Sequence, residues 1–286
     1  MSVENHHDRR VHEEEGKRPT LEVRDLNIEF SRRRVWTSVV HDVSLKVMPG
    51  EIVGVIGESG SGKTLSALAA LRLLPKQARV AKGSVMLGDV DVLAQSDKAM
   101  RDLRGNRMAL IPQDAMQSLN PTMRVGLQVA EPISLHRGTP LKSVAAAAVK
   151  LLETVGITRP ELRARAFPHQ FSGGMQQRAM IAMGLALAPD LLIADEPTTA
   201  LDVTVQAQVL KLLRDIRDAS GTSILFITHD LGVVAELCDW VYVMRHGRIV
   251  EQGSVARIFT DPRQDYTQML LAATPSLHSP LTKEAI

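Results

Sequence analysis

The chain has 286 residues, 44% of them hydrophobic, with 34 lysine and arginine residues against 32 acidic ones. This near balance of charge, without a long basic stripe, argues against nucleic acid as a partner. The single cysteine, Cys238, excludes an intrachain disulfide and a cysteine metal cluster, so the reducing cytoplasm is the expected compartment.

Residues 1–19 mix histidine, arginine and glutamate without the hydrophobic stretch of a secretory signal, and we expect a disordered tail. His6, His7 and His12 offer metal ligands, but no further ligands lie at metal-site spacing, which favours solvated side chains. Later in the chain no apolar run approaches the roughly 18 to 20 residues that span a bilayer, so we expect no membrane crossing.

Apolar patterns predict two kinds of strand. Over residues 21–30 and 43–47 apolar side chains mostly alternate, which is typical of strands with one solvated face. Residues 52–56 are continuously apolar and β-branched, as expected of a strand covered on both sides in a parallel sheet. The same reasoning predicts buried strands at 191–194, 223–228 and 240–244, the last turning into 249–250.

A glycine-rich loop follows the strand at 52–56 and precedes a predicted helix at 65–74. Its sequence matches the phosphate-loop pattern G-x-x-x-x-G-K-[ST]. Glycines let successive N–H groups surround the α- and β-phosphates, Lys63 reaches the β- and γ-phosphates, and the Thr64 hydroxyl ligates Mg²⁺. The predicted ATP ligands are Gly57, Glu58, Ser59, Gly60, Ser61, Gly62, Lys63 and Thr64. A plain Gly/Ser loop with a solvated lysine is the alternative, and the flanking strand and helix argue against it.

Between residues 97 and 188 the pattern becomes helical, as at 143–155, with 108–113 the one clear strand. This change of pattern predicts a helical subdomain inserted into the sheet. Within it Ser172, Gly173 and Gly174 begin a predicted helix that runs to Ala188. A hydroxyl cap and bare backbone amides at the positive end of a helix favour an anion.

Polar side chains follow three predicted strands on one sheet edge, where α/β folds bind ligands. Asp195 would hold the Mg²⁺ shell, and Glu196 would polarise the water that attacks the γ-phosphate. Gln113 and His229 end two other strands, and His229 could hold the attacking water. The alternatives are a solvated Asp-Glu pair before the turn at Pro197 and an ordinary turn histidine.

These motifs follow one another along the chain in the order typical of the ATP-binding cassette (ABC) ATPases. The chain resembles that family over residues 21–253. The resemblance implies an α/β P-loop NTPase fold: a RecA-like core with a mixed sheet, an antiparallel β subdomain and an inserted helical subdomain. It implies an ATPase domain at 20–253, with the helical subdomain at about 97–188, and a C-terminal helix and tail at 254–286. The family motifs fall at Walker A 57–64, the Q-loop glutamine Gln113, the signature 171–175, Walker B 191–196, the D-loop 199–202 and the H-loop histidine His229.

The resemblance also implies residue roles. Gln113 joins Thr64 and Asp195 around Mg²⁺, and Ser172, Gly173, Gly174 and Asp202 face the ATP of a partner ABC ATPase, identical or related. ATP then links two subunits, and hydrolysis lets them separate. Phe30 aligns best with the aromatic that stacks on adenine, and Trp36 is the alternative. Either residue could instead be an ordinary aromatic on the face of a strand.

Phe171 and Met175 replace the commoner Leu and Gln of the signature, a variant associated with peptide, opine and nickel importers. This branch implies two integral-membrane permease subunits, an extracytoplasmic solute-binding protein and a peripheral position on the cytoplasmic face of the inner membrane. The sequence to Ile286 lacks the cysteines that many peptide importers carry, so nickel-chelate or opine import remains an alternative to di- or oligopeptides. A soluble ABC ATPase acting on nucleic acid or ribosomes is a different class. Such chains usually have tandem cassettes or a coiled-coil insertion.

Overall fold

The computed structural model describes residues 16–33, 35–199 and 201–273. Most of the predicted N-terminal tail (1–15, with its histidines), Ala200 of the predicted D-loop, and the predicted C-terminal tail at 274–286 lie outside the described residues.

The described residues form strands and α-helices, and five of the α-helices follow one another between residues 112 and 190. In chain order the strands are β1 (Leu21–Arg32), β2 (Val35–Val47), β3 (Ile52–Ile56), β4 (Ala78–Leu87), β5 (Val90–Asp91), β6 (Met108–Ile111), β7 (Leu191–Asp195), β8 (Ser223–Ile227), β9 (Trp240–Arg245) and β10 (Arg248–Ser254). The helices are α1 (Lys63–Ala70), α2 (Asp97–Asn106), α3 (Ala115–Ser118), α4 (Val125–Arg137), α5 (Ala145–Thr154), α6 (Pro160–Ala164), α7 (Gly173–Gly184), α8 (Val203–Ser220), α9 (Leu231–Leu237), α10 (Val255–Thr260) and α11 (Asp265–Ala272).

Two sheets form the core. The larger has the order β10-β9-β3-β8-β7-β6, with β10 antiparallel to β9 and the remaining pairs parallel. The smaller, β2-β1-β4-β5, is antiparallel throughout. The predicted mixed sheet and antiparallel β subdomain are both present.

The central sheet is covered on both faces, which explains why β3, β7 and β8 are apolar at nearly every position. Side chains alternate between faces along a strand, so Ile52 and Ile56 pack in a cluster with helices α4, α5, α7 and α8. Val53 and Val55 pack on the other face, in a cluster with β1, β2 and α1. Because β3, β8, β7 and β6 are neighbours and run parallel, their carboxyl ends lie at the same edge of the sheet.

Several predicted boundaries shift. The strand predicted at 108–113 ends at Ile111, because Pro112 has no N–H for a sheet ladder. The helix predicted at 65–74 starts at Lys63 and ends at Ala70, and the helix predicted to reach Ala188 ends at Gly184.

Strands β4 and β5 were not predicted. Gly83 interrupts the apolar alternation of β4 where a register shift in its pairing with β1 occurs. A Cβ on Gly83 would lie 2.7 Å from the backbone oxygens of Arg24 and Asp25, so the bulge requires glycine.

No helix in the described part of the chain combines the length and apolar character needed to cross a membrane.

Candidate functional site

The loop between β3 and α1 has a backbone that side chains would obstruct. Gly57, Gly60 and Gly62 have φ angles of 146°, 79° and 103°. A Cβ on Gly57 would lie 2.1 Å from Met244 O, so the loop passes against β9 with no room for a side chain. The Ser61 hydroxyl is buried and, among the described residues, has no hydrogen-bond partner. The loop is thus a backbone cradle with an unpaired polar atom, which fits a polar ligand.

Lys63 opens α1 and turns back over this loop. The residue is only 5% exposed, and its Nζ donates to Gly57 O at 2.8 Å and to Glu58 O at 3.0 Å. Burial lowers the pKa of the ammonium, while the Glu196 and Asp195 carboxylates raise it. A desolvated cation held by two backbone carbonyls is a strong attractor for phosphate oxygens.

Thr64 and Asp195 join the loop to the end of β7. The Thr64 hydroxyl donates to Asp195 Oδ1 at 3.1 Å. Burial raises the pKa of the Asp195 carboxyl, and the nearby Glu196 carboxylate raises it further. The hydrogen bond from Thr64 lowers this pKa but does not cancel the rise. A hydroxyl and a carboxylate at this spacing are the hard oxygen donors that Mg²⁺ prefers, so the residues fit that ion.

Three side chains converge on one oxygen of Glu196. Its Oε2 accepts from Gln113 Nε2 at 3.1 Å and from the Thr199 hydroxyl at 3.0 Å, and lies 3.3 Å from His229 Nδ1. Glu196 has a φ of 47°, in the left-handed region that non-glycine residues rarely adopt. Backbone strain of this kind is characteristic of functional positions, and here it accompanies an acid whose side chain is 15% exposed.

The residues predicted to cap α7 do so. Ser172 is the N-cap, its hydroxyl accepts from Met175 N at 3.4 Å, and both Ser172 and Gly173 are exposed. Gly174 packs on α8, where a Cβ would lie 2.4 Å from Val205 Cγ1. Within the described residues, no hydrogen bond joins the 172–174 segment to the loop at 57–64.

Residues 40–199 match the profile of the ABC transporter family. The chain belongs to this family. The probable peptide ABC transporter ATP-binding protein y4tR of Sinorhizobium fredii is 50% identical over 256 residues, covering 89% of this chain and 76% of that protein. The oligopeptide transport ATP-binding protein OppD of Bacillus subtilis is 48% identical over 260 residues, covering 91% of this chain and 73% of its own length.

A solved ABC cassette has the same fold. The dimeric post-hydrolysis structure of MJ0796, bound to ADP and Pi, aligns with a TM-score of 0.73 and 23% identity, covering 82% of this chain and 98% of that one. The predicted family and fold class are confirmed, and the chain is an ATPase of the ABC transporter family.

The D-loop acid and the two candidate adenine aromatics lie outside the cluster around Glu196. Asp202 caps α8 in this ABC chain, since its carboxylate accepts from Val205 N at 2.9 Å. Phe30 is half-buried in β1, opposite Thr37 and Ala78. Trp36 is 39% exposed, and the Arg79 guanidinium lies 4.1 Å above its ring. The stacking role of Phe30 stays a prediction.

Two site contacts were not predicted. The first is the hydrogen bond from the Thr199 hydroxyl to Glu196, because Thr199 was recognised only as part of the D-loop. Tyr266 of α11 accepts a hydrogen bond from Glu58 N at 3.1 Å, although 208 residues separate the two. No local pattern signals either contact.

Proposed function

We propose that this ABC ATPase powers an importer for di- or oligopeptides or related small solutes. The names of two relatives, a probable peptide ABC transporter protein and an oligopeptide transport protein, support the peptide class at 50% and 48% identity over about nine-tenths of the chain. The observation that carries the enzymatic part is the convergence of Gln113, Thr199 and His229 on Glu196, beside Lys63.

The loop at 57–64 holds the phosphates in this proposal. Backbone N–H groups of the loop surround the phosphate oxygens, and the Lys63 ammonium neutralises the β- and γ-phosphates. Thr64 and Asp195 hold Mg²⁺, together with Gln113. The Gln113 Nε2 donates to Glu196, which leaves its carbonyl oxygen for the metal. When bound, Mg²⁺ supplies positive charge that offsets the negative charge on the phosphate oxygens.

Glu196 orients the attacking water. Its Oε2 receives the three contacts described above, so Oε1 remains to accept a hydrogen bond from that water. The water oxygen bonds to the γ-phosphorus as the bond from that phosphorus to the bridging oxygen breaks. The bridging oxygen leaves with ADP, and the water oxygen and its protons leave with inorganic phosphate. Lys63 stabilises the negative charge that develops on the phosphates. His229 is 56% exposed in its side chain and faces the same place, where it holds the water or the γ-phosphate.

The segment at 172–174 acts on a partner's nucleotide. Ser172 and Gly173 are exposed at the positive end of α7, a helix of 12 residues, and the solved cassette with this fold is dimeric. We propose a dimer with a second ABC ATPase, identical or related, in which Asp202 lies at the same interface. The division of the chain into an ATPase domain at 20–253, a helical subdomain at about 97–188 and a C-terminal part belongs to the same proposal.

The remaining partners follow from the importer class. Two integral-membrane permeases and, through them, an extracytoplasmic solute-binding protein complete the proposed system. The ATPase then lies peripherally on the cytoplasmic face of the inner membrane.

Two experiments test the proposal. Co-expression with the neighbouring encoded permeases should recover a membrane complex whose ATPase is stimulated by the solute-binding protein loaded with peptide. Recovery only with ribosomes or DNA would contradict a role in transport, and stimulation only by nickel chelates or opines would reassign the cargo.

The second experiment tests the phosphate role of Lys63. Lys63→Ala should abolish ATP binding, while Lys76→Ala, which changes an exposed lysine, should bind ATP normally. Tight residual binding by Lys63→Ala contradicts the phosphate role.

A further inference from the structure

The peptide group between Gly57 and Glu58 is held on both sides. Its carbonyl, Gly57 O, accepts from Lys63 Nζ at 2.8 Å, and its amide, Glu58 N, donates to the Tyr266 hydroxyl at 3.1 Å. The C=O and N–H of a trans peptide point in opposite directions, so these two contacts fix the orientation of the peptide plane. One peptide group therefore links the C-terminal helix to the ammonium of the phosphate loop.

Tyr266 is itself held rigidly. It is 5% exposed, and the Arg245 guanidinium lies 4.6 Å above its ring. The chain just before α11 is fixed by Glu251 of β10, whose carboxylate accepts from Arg263 N at 2.9 Å and Gln264 N at 3.1 Å. The hydroxyl of Tyr266 thus has a defined place relative to the central sheet.

We propose that Tyr266 is a positioning residue for Lys63. Its hydroxyl holds the Gly57–Glu58 peptide so that the Gly57 carbonyl faces the ammonium, which sets where the positive charge meets the phosphates. The proposal rests on the phosphate role of the 57–64 loop.

The need for such a restraint follows from the loop. Gly57 has no Cβ, and its φ of 146° lies in a region that other residues rarely adopt, so its own backbone preferences do little to fix the peptide plane. Lys63 is buried, and a buried ammonium that loses an acceptor is penalised more than an exposed one. A hydrogen bond from outside the loop therefore stabilises the orientation that Lys63 requires.

Tyr266→Phe tests the proposal because it removes the hydroxyl and keeps the ring. The matched control is Tyr242→Phe: this buried tyrosine also accepts from a backbone amide, Lys46 N at 2.9 Å, but that amide belongs to β2 and not to the phosphate loop. We expect Tyr266→Phe to raise the dissociation constant of a fluorescent ATP analogue with Mg²⁺ by about three- to tenfold. Tyr242→Phe should leave it within about twofold, although both variants lower the melting temperature.

Hydrogen exchange gives a second readout that a general loss of stability does not mimic. In the wild-type protein the Glu58 amide should be protected, and Tyr266→Phe should accelerate its exchange while Tyr242→Phe does not. Exchange of the wild-type Glu58 amide at the unprotected rate overturns the proposal even if Tyr266→Phe fails to fold. Unchanged affinity and exchange in a folded Tyr266→Phe overturn it as well.

Lys63→Ala separates this proposal from the proposed function. If Lys63→Ala still binds ATP tightly, the phosphate role of the loop fails. If Lys63→Ala loses binding and Tyr266→Phe behaves like its control, only the positioning role fails.

Discussion

Gln113 donates its side-chain amide to Glu196 Oε2 across 3.1 Å. The two residues are 83 positions apart and follow the neighbouring parallel strands β6 and β7, so the sheet brings them together. A displacement of the segment after β6, where the helices α3 and α4 begin, would therefore change the environment of the proposed catalytic acid directly.

Glu196→Gln should keep ATP binding and stop turnover. The amide preserves the volume and one acceptor for the surrounding donors but lacks the negative charge that polarises water. We expect the rate of ATP hydrolysis to fall at least about 100-fold, and ATP to trap a dimer detectable by light scattering. Glu153→Gln, on the exposed side of α5, is the control and should hydrolyse normally. Near-normal hydrolysis by Glu196→Gln would remove Glu196 from its role.

The adjacent glycines of α7 should respond differently to alanine. A methyl on Gly174 would lie 2.4 Å from Val205 Cγ1 and push α7 from α8, so Gly174→Ala should reduce the free energy of unfolding by about 1–3 kcal/mol. Beyond its chain neighbours and its own helix backbone, the nearest atom to a methyl on Gly173 is Leu201 Cδ2 at 4.0 Å. Gly173→Ala should therefore stay within about 0.5 kcal/mol of wild type yet lose ATPase activity. Urea unfolding and ATPase assays check both. Equal stability of the two variants would contradict the packing argument.

Glu251 should make part of the stability pH-dependent. Burial alone would raise the pKa of its carboxyl, but hydrogen bonds from Arg263 N, Gln264 N and Arg257 outweigh burial and hold the pKa below its ordinary value of 4.5. A carboxyl whose pKa is lower in the folded state stabilises the fold above the unfolded pKa, and this contribution is lost as pH falls through the folded value.

The comparison that tests this linkage is wild type against Glu251→Gln, by urea unfolding from about pH 3 to about pH 7. The difference in unfolding free energy should be largest near neutrality and shrink as pH falls below 4.5. A difference that does not change with pH would show that the carboxylate charge plays no part.

Cys238 should be inert toward thiol reagents in the native protein. It is buried against Gly54, and burial raises the pKa of its thiol, with the Asp239 carboxylate acting in the same direction. Because the thiolate is the reactive form, iodoacetamide should modify the protein only after denaturation. Mass spectrometry measures the modification, and full labelling of a protein that retains its fold would be the contrary result.

Local sequence was enough to predict the glycine-rich loop at 57–64, the buried strand before it and the cap of α7. Each depends on neighbouring residues only: a glycine accepts a φ that others resist, and Ser172 caps the helix that begins one residue later. The same local reasoning missed β4, because Gly83 and polar side chains conceal a strand whose pairing with β1 is set across the sheet.

The sequence by itself determined the fold class, and it predicted which residues carry phosphate, metal and acid chemistry, since those chemistries require particular side chains in particular order. Only the tertiary structure decided that Thr199 shares one oxygen of Glu196 with Gln113 and His229, and that Tyr266 reaches Glu58 from 208 residues away. Hydrogen bonds act over about 3 Å, and such distances between remote residues depend on how strands and helices pack.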